Sequence, residues 1–334
     1  MSLPEFQLLR PRTVNEAVHL LQKHAPAIRI IAGGTDLIPS LRQGLFTPEY
    51  LLDVGEIDEL HGIQVRRGAG VEIGALTTLT AIGDSEFIRR TYPVLHEAAG
   101  SVASPILRNM GTLGGNVCLD TRCLWYNQSL AWRKSCGFCI KKDGDLCHVA
   151  PGGKRCWAVH SGDTAPALLC LGAEVEIASA AGMRRLWLRD FYTNRGEAHT
   201  RLAPNELLTR IFLNDSRAGW RGAYRKLRVR GSIDYPLAGT AVALKLKKGS
   251  RGRPAVVEDV CVAIGAVNPA PQLIADVDNA LIGRVVDEHT ATVVGELAAR
   301  TAKPLTTSAL TPEYRREMVR VFTKRALLAA AQTG

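Results

Sequence analysis

Residues 136 to 156 read "CGFCIKKDGDLCHVAPGGKRC", four cysteines in twenty-one residues, with Cys118 and Cys123 just upstream. A segment so rich in Gly, Lys and Asp has too few periodic apolar side chains to press a helix or strand against a core. It is expected to fold as a long inserted loop, from about residue 118 to 160. Loops of that length inside compact domains are functional or stapled by something. Six of the chain's eight cysteines lie here, so the staple is sought among thiols.

Four kinds of staple are open. Disulfides fit poorly, because the N-terminal "MSLPEFQLLRPRT" lacks the apolar core of a secretory signal and points to a cytoplasmic, reducing location. Structural zinc prefers paired knuckles, and only Cys136 and Cys139 have C-x-x-C spacing. A thioredoxin-type dithiol wants that spacing between a strand and a helix, whereas here it lies between "WRKS" and "IKKDG". An iron–sulfur cluster needs four thiolates brought together, which widely spaced cysteines on one ordered loop can supply. Spacing alone does not choose among the six.

Regular patterning flanks the loop on both sides. "TVNEAVHLLQKHA" has helical spacing, with Thr13 and Glu16 placed for a capping box. "AIRIIAGGTDLIPSLRQGL" reads as strand, double-glycine turn and helix, and "YLLDVGEI" and "VEIGALTTLTAIG" as strands leading into turns or helices. "EFIRRTYPVLHEAAGSVAS" predicts one longer helix, and "TAPALLCLGAEVEIAS" a helix followed by a strand. Beyond residue 216 the pattern is strand-rich, in "AYRKLRV", "LAGTAVALKLK" and "VEDVCVAIGAV", before two closing helices. The mixture predicts α+β subdomains.

The formal net charge of the 334 residues is +10, which raises nucleic-acid binding as a class. The basic stretches have simpler readings. "KLKKGSRGRP" is a Gly/Pro-broken turn, and "YRREMVRVFTKRALLAA" is an amphipathic helix with a solvated basic face. Neither accompanies a nucleic-acid module, so no nucleic-acid partner is expected. No run approaches the roughly 18 apolar residues of a membrane span, so no membrane partner is expected either.

Two glycine-rich turns carry chemistry. "AGGTD", Ala32 to Asp36, follows a strand and opens a helix, where bare backbone amides can cradle a phosphate. "GTLGGN", Gly111 to Asn116, is a second such turn. Together they suit one extended, pyrophosphate-bearing cofactor. Neither is the G-x-G-x-x-G dinucleotide fingerprint.

The stretches "IAGGTDLIPSLR", "GTLGGNVC", "SGDTAPALLCLGAEVEI", "ELLTRI" and "YRKLRVRGSIDYPLAG", in this order, resemble the FAD-binding medium subunits of the molybdenum hydroxylase (xanthine oxidase) family. The resemblance covers almost the whole chain. It implies an α+β fold: an FAD-binding domain of the vanillyl-alcohol-oxidase type over 1–215, in subdomains of about 1–57 and 58–215. A small C-terminal α+β domain over 216–334 would follow. The first loop, Ile31, Ala32, Gly33, Gly34, Thr35 and Asp36, would hold the FAD pyrophosphate, continued by Thr112, Gly115 and Asn116. Asp163 would lie near the ribityl or ribose hydroxyls, and Lys226 near the isoalloxazine. Read without the family, Asp163 is a helix N-cap and Lys226 a solvated strand residue.

Most members of that family lack the cysteine loop. The insertion is similar to that of the 4-hydroxybenzoyl-CoA reductase β subunits, which house an additional 4Fe–4S cluster. Their ligand pattern, with gaps of fifteen, seven and eight residues, implies Cys123, Cys139, Cys147 and Cys156 as metal ligands here. Cys118 and Cys136 are then bystanders, and Cys170 and Cys261 core residues. The chain has no segment for a molybdenum cofactor or 2Fe–2S clusters, so the resemblance implies a large molybdenum subunit and a small 2Fe–2S subunit as partners, in a dimer of heterotrimers. The implied function is electron transfer from ferredoxin through 4Fe–4S and FAD toward reductive dehydroxylation of an aromatic CoA thioester. An oxidising molybdenum hydroxylase acting on a purine or heteroaromatic ring, and a zinc-stapled scaffold, are the alternatives. Arg133, Lys134, Lys141, Lys142, Lys154 and Arg155 would form a cationic rim for an acidic ferredoxin, against Asp120, Asp143 and Asp145.

Overall fold

Three sheets organise the chain in the computed structural model, which describes residues 3–66, 68–247, 249 and 254–332. The first sheet is parallel, in the order Gln7–Leu9, Tyr50–Asp53, Ile28–Ile31. Parallel neighbours need crossovers, and the helix Val14–His24 supplies one while burying Val14, Ala17, Val18 and Leu21. Thr13 caps that helix, its hydroxyl accepting from the Glu16 amide at 3.1 Å. The expected box is only half formed. The Glu16 carboxylate accepts from the amide of Arg12 at 2.9 Å, one residue before Thr13.

The second sheet is antiparallel, in the order Ile63–Arg66, Gly70–Gly74, Leu207–Leu213, Glu174–Ser179, Gly182–Trp187. The segment after its second strand carries the helices Glu86–Thr91 and Pro93–Gly100, two elements where the sequence predicts one, and the second of them packs on the strand Arg221–Leu227. The break has a local cause. Pro93 has no N–H to donate into a preceding turn, so Tyr92 leaves the helical region and Pro93 starts a new helix.

The third sheet, Gln272–Leu273, Val256–Gly265, Ala238–Lys247, Arg221–Leu227, is antiparallel and packs against the helices Glu288–Thr301 and Pro312–Gln332. In the last helix Arg315 departs from the solvated face expected of it. It is buried and donates to the carbonyls of Leu237, Leu305 and Ala266 at 2.9, 2.9 and 2.7 Å, pinning helix to sheet. Half of the basic turn "KLKKGSRGRP", residues 248 and 250–253, lies outside the described residues. Among the described residues no helix is long and apolar enough to cross a membrane.

The core of the second sheet runs on into Ala241, Ala243 and Ala263 of the third, so packing continues across residue 215. The helix Thr164–Cys170 lies in this seam with every residue buried. Residues 118–160 form the irregular insertion the sequence predicts, with the one helix Leu130–Ser135 inside it. Its ends meet: Arg122 and Val159 exchange backbone hydrogen bonds of 2.8 and 2.9 Å.

Candidate functional site

The two glycine turns touch. A Cβ on Gly33 would stand 1.7 Å from the Met110 carbonyl oxygen, so only glycine lets the first turn lie against the entry to the second. Gly34 has φ +68°, the left-handed conformation that glycine tolerates. Among the described residues, the amides of Gly33, Gly34, Thr35 and Asp36 donate to no other group of the chain. They sit half-buried just before the helix Leu37–Arg42. Unsatisfied donors gathered at a turn are what an anionic phosphate needs, so the first turn fits a pyrophosphate.

The second turn is braced from within. The Thr112 hydroxyl accepts from the Gly115 amide at 3.1 Å, and Gly114 presses on Ala75, where a Cβ would come within 2.7 Å of the Ala75 Cβ. Asn116 is not free to turn toward a ligand with all its atoms. Its Oδ1 accepts from the Thr164 amide and hydroxyl at 3.0 and 2.6 Å, capping the seam helix. The N-cap role expected of Asp163 is thus taken by Asn116, and the Asp163 side chain makes no cap bond.

Asp163 instead accepts from the Tyr224 hydroxyl at 2.8 Å and from Lys226 Nζ at 3.0 Å. Both members of this ion pair are buried, with side chains 3% and 4% exposed, so Lys226 is not a solvated strand residue. Burial pushes the Asp163 carboxyl up, opposed by the Lys226 ammonium and the Tyr224 hydroxyl. Lys226 also donates to the Ser101 carbonyl at 3.0 Å. Beside this pair, the Ser161 hydroxyl is buried without a partner. An orphaned polar atom there suits a ligand rich in hydroxyls and amides such as FAD.

Sequence reasoning missed the residue that ties the two candidate regions together. Arg122, adjacent to Cys123, pairs with Asp36 of the first turn at 2.5 Å and stacks 3.8 Å over the ring of Tyr235. The Tyr235 hydroxyl also donates to Asp36, at 3.0 Å. Tyr235 stands in "GSIDYPLAG", within a stretch that carried the resemblance, but a tyrosine before proline there also reads as an ordinary loop residue.

Of the six clustered thiols, four line one small cavity: Cys123, Cys139, Cys147 and Cys156. Cys118 and Cys136 do not line it. The enclosed space, about 10 Å³, is that of a single water, so the four thiols face each other across little empty room. Tyr126, Ile140, Val149 and Ala158 complete an apolar wall, and Trp125 stacks on His148 at 4.3 Å. Burial pushes the Cys123 thiol up to about 11 and the Cys156 thiol to about 12. Loading a metal here must therefore displace protons. Among the described residues no group of three or more Cys, His, Asp or Glu side chains stands close enough to chelate one metal ion. The four thiols thus share a cavity without forming a preorganised tetrahedral site for a single zinc ion.

The expected cationic rim is smaller than the charges in the sequence. The Lys141 side chain is only 5% exposed, its ammonium held by Asp120 at 2.8 Å and the Gly196 carbonyl at 2.9 Å, and it lines the thiol cavity. Arg133 is buried as well, donating to the Gly44 carbonyl at 2.7 Å. Lys134, Lys142, Lys154 and Arg155 remain at the surface or half-exposed. Nothing in the run "CIKKDG" marks the first lysine as buried, since its partner Asp120 lies at the other end of the insertion.

Comparison with known proteins places this geometry. Residues 4–214 match the model of the FAD binding domain in molybdopterin dehydrogenase, and residues 222–330 that of the CO dehydrogenase flavoprotein C-terminal domain. The carbon monoxide dehydrogenase medium chain of Afipia carboxidovorans is 31% identical over 325 residues, which cover 96% of this chain and 95% of that one. The aldehyde oxidoreductase FAD-binding subunit PaoB of Escherichia coli is 34% identical over 282 residues, 82% of this chain and 85% of that one. A crystal structure of the Cu,Mo-CO dehydrogenase in its cyanide-inactivated form superposes with a TM-score of 0.80 at 29% identity, over 99% of each chain.

Proposed function

We infer a specific role from a plain premise: the chain belongs to the FAD-binding medium subunits of the molybdenum hydroxylase family. Within that family it serves as the electron-transfer subunit of an enzyme of the 4-hydroxybenzoyl-CoA reductase type, carrying a 4Fe–4S cluster in addition to FAD. The cavity lined by Cys123, Cys139, Cys147 and Cys156 carries this reading, because these are the four cysteines the reductase pattern selects.

The chain's own residues have distinct tasks. The amides of Gly33 to Asp36 bind the FAD pyrophosphate, with Thr112, Gly115 and Asn116 continuing the site. Asp163 and Lys226 hold each other beside the remainder of the cofactor. The apolar wall around the four thiols excludes water from the cluster. Bound flavin exchanges electrons singly or in pairs, which suits a relay between a one-electron donor and a two-electron reduction. The partners are a molybdenum-bearing large subunit and a 2Fe–2S small subunit in a hetero-oligomer, with ferredoxin as donor. The organic substrate, an aromatic CoA thioester, reacts on the large subunit.

A second reading has its own support. The relatives named above act on carbon monoxide and aldehydes, which favours an oxidising hydroxylase in which the insertion serves another acceptor.

Flavin, iron, acid-labile sulfide and zinc analysis of anaerobically purified protein tests the cofactor set. About four irons and four sulfides with one FAD per chain are expected, and zinc without sulfide would sink the electron-transfer reading. Assaying the assembled complex with reduced ferredoxin and 4-hydroxybenzoyl-CoA, against oxidation of a heteroaromatic ring, then separates the two substrates.

A further inference from the structure

Arg122 has more hydrogen-bonding capacity than the chain uses. Its Nη2 donates to the Asp36 carboxylate at 2.5 Å and to the Tyr235 hydroxyl. Among the described residues its Nη1 donates to no group, and its Nε is buried without a partner. A guanidinium cannot shed its charge. A buried N–H left over on it costs free energy unless some further group accepts from it. The side chain is held firmly all the same. Its backbone is fixed to Val159 by bonds of 2.8 and 2.9 Å, and the ring of Tyr235 lies 3.8 Å from the guanidinium carbon. Such stacking fixes the plane in which the remaining N–H groups point.

The acid that Arg122 meets sets a second condition. Asp36 closes the first glycine turn, directly after Gly33, Gly34 and Thr35, whose amides, like its own, donate to no group among the described residues. Its carboxylate makes no cap bond to the following helix. Next to a pyrophosphate, an unpaired carboxylate at that place would repel the ligand. Arg122 cancels that charge and keeps its Nε and Nη1 donors in reserve.

We propose that Arg122 is a further cofactor-binding residue, which neutralises Asp36 and gives its spare N–H groups to the FAD pyrophosphate held by the first turn. The inference rests on the reading of that turn as the pyrophosphate site. Charge-assisted N–H bonds to phosphate oxygens are the strong kind, and the planar fork of arginine suits them. Tyr235 is the positioning residue, since it touches the guanidinium through both its ring and its hydroxyl. The insertion thus supplies a residue to the flavin site, whatever its four thiols hold.

The test strips FAD from the purified full chain and follows its return by quenching of flavin fluorescence. Arg122→Gln should bind FAD roughly ten-fold or more weakly, as loss of a charge-assisted hydrogen bond predicts. Arg122→Lys keeps the charge without the fork and should recover only part of that loss. Tyr235→Leu, which leaves the cation in place but removes its stacking partner, should weaken binding less than Arg122→Gln does. Combining Arg122→Gln with Asp36→Asn separates contact from charge cancellation, and binding should stay weak. Should Arg122→Gln fail to fold by circular dichroism, Arg122→Lys and Tyr235→Leu carry the test. FAD affinity unchanged in the Arg122 variants, or fully restored by Asp36→Asn, would overturn the proposal. Failure of inorganic pyrophosphate to compete with FAD on the wild-type chain would instead sink the reading of the turn on which it rests.

Discussion

The glycine turns and the cysteine loop build sites in opposite ways. At the turns the groups left without a partner in the chain are backbone amides, and side chains serve mainly to stay out of the way, as Gly33 does against Met110. In the loop the backbone is irregular and the four thiols do the facing, drawn from positions as far apart as Cys123 and Cys156. A backbone site needs only its short motif to take the right turn. A side-chain site depends on the whole loop closing, so it is gained or lost as a unit.

Removing a thiol tests that contrast most severely. In Cys147→Ser, iron and sulfide should fall from about four each to near zero, while flavin content stays near one. Loss of flavin in the same variant would show that the two regions are one cooperative site. Gly33→Ala is the mirror experiment. Its Cβ would collide with backbone at 1.7 Å, an overpacking that costs about 1–3 kcal/mol or more. Flavin occupancy should drop at least ten-fold with iron retained, as read by absorbance and metal analysis.

Between the two regions lies His160, which follows the loop's closing bridge and precedes Ser161. Burial, with His199 nearby, lowers its pKa to about 3, and its Nδ1 has no partner. The unfolded side chain takes up a proton near pH 6.5, whereas the folded one stays neutral. Its contribution is therefore fully present above pH 6.5 and is lost as pH falls from there toward 3, at up to about 1.4 kcal/mol per pH unit. Urea midpoints across that range should show the slope, and His160→Gln should flatten it.

The smallest effect concerns the rim. Lys134→Glu with Lys142→Glu should slow reduction by an acidic ferredoxin several-fold at low ionic strength, with the difference vanishing at high salt. Unchanged rates and salt dependence would remove the docking role from the loop. Lys141 is unsuitable for this test, since reversing a buried cation beside Asp120 disrupts the cavity itself.

Elements whose signals are local were legible in the sequence. The strand, glycine turn and helix of residues 28–42 and the helix and strand of 164–179 stand where periodicity puts them. That Cys123, Cys139, Cys147 and Cys156 share one cavity is a grouping only the resemblance pointed to, because spacing within the loop admits several sets. What stayed hidden were long-range pairings between polar groups: Asp163 with Lys226, Asp36 with Arg122, and Lys141 with Asp120. Each joins residues whose sequence surroundings read as exposed. Burial of a charge is decided by its partner, and the partner is 63, 86 or 21 positions away.

The mutual bonds between Arg122 and Val159 give the insertion the topology of a handle, leaving the body and returning to it at one place. Its two attachment points are already within hydrogen-bonding distance, so a short turn could replace everything between them without stretching the flanking chain. Lengthening such a turn costs little, because closure entropy grows only with the logarithm of loop length. A cysteine-bearing module can thus be spliced onto an existing flavin scaffold in one event. Arg122, standing at the splice and reaching to Asp36, is the point at which such a graft becomes wired to its host.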